Sequence, residues 1–399
     1  MNSTPGVIGS ERQISTLLDA CLNFRVQWTV VSGLVTSDVV AVFQPIVDLR
    51  DGGVVGYEAL ARPADGSSPE ELFAAARAAG TLAEVDAACR AAALAAASAA
   101  GLGAPYALFL NADAGALELD VPELPHGSAT LIIEITEEAL TEQPEAVLRT
   151  LTRLRTRGWG VSLDDVGADS RSLAVMPLVY PDVIKLDLRL LEARSTGDLA
   201  RVVTAVGAEA ERRHATVLAE GIDTPRAMEL ARAVGATLGQ GYLLGEPGPL
   251  PDVLPPPGRR LRLAGAGADP SGPLPFQRVT NWKRPVRGPL ELAERAAALL
   301  TDQASALGTT GMLLAAPDRS HASERFEELR SSLGFVGVLD AGALEDTWTE
   351  VALGPGYGAC FVAKRSGDEW LFATSYDREL VVECALLLMA RLPQRQPLR

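Results

Sequence analysis

Between residues 39 and 247 the chain repeats one pattern: a short apolar run, then a stretch with helical periodicity. The runs are 39–47, 54–60, 106–111, 130–135, 160–165, 183–187, 216–220 and 237–242. Amphipathic segments such as 141–157, 190–213 and 225–234 separate most of them. Near-continuous apolar strands joined by helices predict a parallel sheet with helices outside. Eight such units in about 210 residues predict a closed (β/α)8 barrel. One connection breaks the rule. Asp51-Gly52-Gly53 joins the first two runs and leaves no room for a crossover helix. It is a hairpin signal, so the first strand should run antiparallel to its neighbour. The expected fold is therefore a modified TIM-like barrel.

In a parallel barrel, chemistry sits at the carboxyl ends of the strands. Taken in order, those ends supply Gln44, Glu58, Asn111, Glu134, Asp164 with Asp165, Lys185, Glu220 and Gln240. Singly, each has an ordinary explanation: a surface acid, a helix cap, a lysine stem with its head at the rim. Eight such coincidences at one end of eight strands are much harder to accept. The pair Asp164-Asp165 is the sharpest signal. Adjacent carboxylates at the end of a buried strand repel and raise each other's pKa, unless something positive sits between them.

The residue types fit together. Carboxylates plus an amide oxygen are hard ligands suited to Mg²⁺ or Mn²⁺. Two ions sharing Asp164, roughly 3.5–4 Å apart, could clamp a phosphodiester and activate a water. Lys185 would bring positive charge near that water or the phosphoryl oxygens. Asp187, two residues on and on the same strand face, could hold the ammonium. The three histidines, His126, His214 and His321, are scattered, which argues against a zinc site or a histidine triad. A net charge of −15 argues against DNA, RNA or an anionic membrane as partner. Four cysteines without C-x-x-C spacing read as reduced thiols of a cytoplasmic protein. The alanine-rich run 91–104 reads as a packed helix, not a membrane span.

These residues resemble the EAL-domain cyclic di-GMP phosphodiesterases. Tyr57-Glu58-Ala59-Leu60-Ala61-Arg62-Pro63 is similar to the name-giving motif, and Gln44-Pro45-Ile46-Val47 to the family's Q-P-I-V. Phe109-Leu110-Asn111, Ile133-Glu134-Ile135-Thr136-Glu137, Asp164-Asp165 and Ile184-Lys185-Leu186-Asp187 follow in the family's order. Ala219-Glu220-Gly221-Ile222-Asp223-Thr224 and Gly239-Gln240-Gly241-Tyr242 complete the set. The resemblance implies hydrolysis of cyclic di-GMP to linear pGpG, and a dimer. It implies metal held by Glu58, Asn111, Glu134, Asp164 and Asp165, with Glu220 close by and Lys185 assisting the water. It also implies that Gln44 and Gln240 position substrate or metal-bound water, that Arg62 contacts phosphate, and that Glu137 anchors a loop. The loop 166–171 departs from the family's D-D-F-G-x-G-x-S-S-L: Val166 replaces Phe, Asp169 the second Gly, and Arg171 a small polar residue. That departure favours an alternative, a weak or inactive receptor for cyclic di-GMP that signals through the rest of the chain.

The remainder divides into an N-terminal segment to residue 36, a barrel over 37–250, a Pro/Gly-rich linker over 251–289 and a small α/β unit over 290–399. That last unit is expected to hold helices at 290–307, 322–333 and 378–392, strands at 310–315 and 336–339, and a hairpin at 357–374. A further helix is expected near 344–351. It resembles, more weakly, the DICT-type sensory domains, which implies a sensory role.

Overall fold

A computed structural model describes residues 39–113, 127–136, 139, 144–167, 172–192, 194–263, 272–318 and 324–392. Residues 1–38, Glu137 and the divergent positions 168–171 lie outside them. The first strand, β1 (Val39–Asp48), returns as β2 (Val54–Pro63) through a tight turn. Gly52 there has φ +76°, and the Asp51 carboxylate accepts from the Gly53 N–H at 2.9 Å. This is the left-handed geometry that a short hairpin demands. β1 also pairs antiparallel with β8 (Leu238–Gly239), and that contact closes the barrel.

β3 (Ala107–Asn111), β4 (Thr130–Thr136), β5 (Gly160–Val166), β6 (Val183–Asp187) and β7 (Thr216–Glu220) complete an eight-membered closed barrel in sequence order. From β2 to β8 every neighbour is parallel. The strands bury both faces, so they are apolar throughout rather than alternating. Ile46, Phe109, Ile132, Val183 and Leu218 pack together inside the barrel, and Leu261, from beyond β8, joins them. Gly160 permits the close approach of Leu263, since a Cβ there would lie 2.4 Å from Ile132 and 2.6 Å from Leu263.

A second sheet of six strands has the order β11-β10-β12-β13-β14-β9. Its members are β9 (Val286–Gly288), β10 (Met312–Ala316), β11 (Phe335–Val338), β12 (Thr347–Gly354), β13 (Tyr357–Ser366) and β14 (Glu369–Ser375). The hairpin β13–β14 and the helices Leu290–Ser305 and Arg378–Met389 follow the sequence expectation. Two expectations fail. The segment near 344–351 is not a helix: left-handed Glu345 and Asp346 start β12, a fully buried central strand. Thr347, Trp348, Thr349 and Val351 are β-branched or aromatic, and a strand flanked on both sides suits them. Residues 275–288 are not linker. Pro275 opens the helix Pro275–Trp282 at a position where its missing N–H costs nothing, and Val286–Gly288 adds the edge strand β9.

The second sheet packs on the barrel through the helix Arg378–Met389, which touches the barrel helix Ser172–Val179. That barrel helix, Leu173-Ala174-Val175-Met176-Pro177-Leu178-Val179, buries every one of these residues. A helix apolar all round must be covered all round. At the seam Arg213 pairs with Glu379 at 2.8 Å and stacks over the Tyr180 ring at 3.8 Å. Among the described residues no helix is long and apolar enough to cross a membrane.

Candidate active site

Carboxyl groups from β2, β4, β5 and β7 converge on one fully buried ammonium, that of Lys185 on β6. Lys185 Nζ lies 2.6 Å from Glu220, 2.7 Å from Glu134, 3.3 Å from Asp164 and 3.7 Å from Glu58. Each carboxylate comes from a different strand. Burial disfavours the ammonium charge, but Asp164, Glu134, Glu220 and Glu58 outweigh it, and the Lys185 pKa rises well above its ordinary value.

The carboxyls split according to their surroundings. Burial, then the neighbouring Glu58 charge, push Glu134 well above the usual carboxylate range. Burial likewise pushes Glu220 up to about 8 against the pull of Lys185. Burial also raises Glu58, yet Lys185 and hydrogen bonds from Asn111 and Gln240 overcome it, and its pKa is lowered. The result is a cluster with more acids than one ammonium can neutralise.

Hydrogen bonds fix Glu58. Asn111 Nδ2 donates to its Oε1 at 2.9 Å, and Gln240 Nε2 donates to its Oε2 at 2.6 Å. Gln240 also donates to Gln44 Oε1 at 2.9 Å, and Gln44 in turn donates to the Gly245 carbonyl at 3.0 Å. Glu58 sits in mid-strand, not at a strand end, because β2 runs on to pair with β1; Gln44 lies directly opposite.

Local backbone geometry presents the two aspartates. The β5–β6 register shifts between Leu163 and Val166, so Asp164 and Asp165 bulge out of the ladder. Asp165 holds φ +57°. Burial and Asp164 raise its carboxyl. A left-handed non-glycine residue is a strained conformation that the surrounding fold must impose.

Several atoms here lack hydrogen bonds. Both oxygens of Glu134, Glu220 Oε1, Gln240 Oε1 and the Ser162 hydroxyl are buried without a hydrogen-bond partner. Glu134 Oε1 and Glu220 Oε1 touch Lys185 only as ion pairs, off the hydrogen-bond directions. Orphaned hard oxygens facing one point suit a divalent cation. Even so, among the described residues no three His, Cys, Asp or Glu side chains already stand at metal-binding spacing. The ammonium occupies the middle and spaces the carboxylates as ion-pair partners.

The structure thus gathers Gln44, Glu58, Asn111, Glu134, Asp164, Lys185, Glu220 and Gln240, with Asp165 beside Asp164. It does not gather Arg62, which lies past Glu58 in β2. Arg62 donates to the Ala61 carbonyl and makes no hydrogen bond or ion pair with the cluster among the described residues. Asp187 does not hold Lys185. It accepts from the backbone N–H groups of Arg189 and Leu190 instead, capping the helix Leu188–Glu192. The sequence reading also gave no role to Arg189, Asp223 or Tyr242, which contact one another at the rim. Their positions two or three residues beyond Asp187, Glu220 and Gln240 were the available signal.

The EAL domain family model matches residues 32–247. An uncharacterized protein of Azorhizobium caulinodans is 32% identical over 248 residues, covering 54% of this chain and 33% of its own length. The cyclic di-GMP phosphodiesterase NbdA of Pseudomonas aeruginosa is 33% identical over 121 residues, covering 30% of this chain and 16% of its own length. This chain therefore spans about a third or less of those relatives. A manganese and cyclic di-GMP complex of Klebsiella pneumoniae BlrP1 is 28% identical, covers 55% of this chain and 57% of that one, and superposes with a TM-score of 0.46.

Proposed function

Because the chain belongs to the EAL domain family, we propose that it hydrolyses cyclic di-GMP to linear pGpG with Mg²⁺ or Mn²⁺. The observation that carries this reading is the convergence of Glu58, Glu134, Asp164 and Glu220 on one point, with buried oxygens left over. Glu58, Asn111, Glu134, Asp164 and Asp165 would hold the metal. When bound, two ions would lower the pKa of a water and neutralise the phosphoryl oxygens. The chain's own groups do the rest. Gln240 and Asn111 keep Glu58 aligned. Lys185 holds positive charge beside the attacking oxygen and is itself kept charged by its acids. Glu220 lies within reach of Lys185 and, in its deprotonated form, can take the water's proton. The water oxygen bonds to phosphorus, the P–O3′ bond breaks, and the 3′ oxygen leaves with the proton that Glu220 took from the water.

The same reading treats 37–250 as the hydrolytic barrel and 290–399 as a regulatory unit, within a homodimer. Support for regulation is the packing of the helix Arg378–Met389 on the helix that follows Asp164-Asp165. A second reading, a receptor without turnover, is supported by the position of the Lys185 ammonium, which stands within 2.6–3.7 Å of four carboxyl groups and spaces them apart. Incubating the full chain with cyclic di-GMP and Mg²⁺ or Mn²⁺, then separating nucleotides by chromatography, decides between them. Product pGpG supports hydrolysis. Nucleotide binding without product leaves the receptor.

A further inference from the structure

Three residues interact on the connections that leave β6, β7 and β8. Arg189, Asp223 and Tyr242 follow Lys185, Glu220 and Gln240 on the connections after β6, β7 and β8. Arg189 Nη2 pairs with Asp223 Oδ2 at 2.6 Å, and the other Asp223 oxygen accepts from the Tyr242 N–H at 2.9 Å. The Arg189 stem lies against Gly221, where an added Cβ would be 3.4 Å from it. Asp223, and more weakly Asp187 and Tyr242, reinforce the guanidinium charge.

An exposed ion pair is ordinarily worth little. This trio differs in being both open and fixed. The Arg189 side chain is 67% exposed and Tyr242 60% exposed. Yet the Tyr242 backbone is pinned. Leu243 N–H donates to the Ile222 carbonyl at 3.0 Å, and a Cβ on Gly241 would lie 2.4 Å from the Ile222 backbone. The remaining N–H groups of Arg189 have no partner among the described residues. An exposed aromatic ring and an exposed guanidinium fork, on connections two to four residues beyond Lys185 and Gln240, match one kind of group. Purines stack on aromatic rings, and guanine offers the O6 and N7 acceptors that an arginine fork reads.

We infer that Arg189 and Tyr242 form a guanine-reading clamp, with Arg189 donating to the O6/N7 edge, Tyr242 stacking on the base and Asp223 orienting both. This rests on cyclic di-GMP being the substrate, and the experiment separates the two ideas. The full chain, wild type and Arg189→Ala, is assayed with cyclic di-GMP and with its 7-deaza analogue, which lacks N7. Wild type should show a KM about tenfold higher for the analogue at similar kcat. Arg189→Ala should raise KM for the parent nucleotide about tenfold or more and erase the difference between the two substrates. Tyr242→Ala should raise KM about tenfold, and Tyr242→Phe should restore it, since the ring alone stacks. If wild type turns over cyclic di-GMP but Arg189→Ala keeps the same analogue penalty, the clamp is wrong and the hydrolase stands. If wild type neither binds nor cleaves cyclic di-GMP, both fall.

Discussion

Replacing Lys185 with Met removes the one positive charge from the cluster while roughly preserving volume. Lys185 lies 2.6–3.7 Å from four carboxylates and is 1% exposed. At an effective dielectric of about 20, a contact with an ionised carboxylate at these distances is worth roughly 4–6 kcal/mol before costs. Mutual repulsion of the acids and the lost hydration of five groups cancel most of this. Removing one partner of a buried pair typically leaves a net loss of about 3–5 kcal/mol. Urea unfolding in chelator should show that loss for Lys185→Met. Saturating Mg²⁺ should recover much of it, because a divalent ion supplies the missing charge. Turnover should stay lost even then, because the ion does not replace the ammonium beside the attacking oxygen. Equal stability of variant and wild type in chelator would refute the electrostatic account. A loss unchanged by Mg²⁺ would refute the metal-binding half of it.

Other outcomes follow from the same cluster. Glu58→Ala and Asp164→Ala should each abolish pGpG formation while leaving the fold intact by circular dichroism; most of the activity surviving in either contradicts the ligand set. Ca²⁺ should inhibit Mg²⁺-supported turnover, since it prefers longer bonds and more ligands; a Ca²⁺-supported rate would argue otherwise. Glu220, raised from 4.5 to about 8, and Glu134, also raised, hold protons in the folded state that the unfolded chain has shed. Metal-free stability should therefore fall as pH rises from about 4.5 to about 8. Thermal melts in chelator check this, and a rise across that range opposes it. A chain ending near residue 250 would uncover the helix Ser172–Val179. Exposing even two of its side chains costs roughly 3–6 kcal/mol, so gel filtration should show aggregation or a lowered melting point; a monodisperse barrel melting like the full chain would contradict the packing.

The barrel was legible because both signals that specify it are local. Eight apolar runs carry the strand count, and Asp51-Gly52-Gly53 carries the one reversed direction. The site types were legible as well, since each strand-like run carries a polar residue at its middle or in its second half. What the sequence could not show is how the strands stagger. Glu58 reaches the cluster from mid-strand because β2 extends along β1. Lys185 bridges four strands, a relation with no linear signature. Asp187 was read by strand alternation, but the chain turns into the helix Leu188–Glu192 directly after it, and capping claims its carboxylate. The misread segments beyond the barrel share a cause. Prolines at 275, 285 and 289 read as linker, yet two of them mark helix starts. Leu344–Val351 carries no period that distinguishes a buried strand from a short helix.

Crystals of the full chain grown with Mn²⁺ and cyclic di-GMP, measured for anomalous scattering, would test the central idea most directly. The account predicts manganese peaks about 2.0–2.3 Å from oxygens of Glu58, Asn111, Glu134, Asp164 and Asp165, with a nucleotide phosphate against them. Bound nucleotide with no manganese at those oxygens, and Lys185 still holding all four carboxylates, would contradict it.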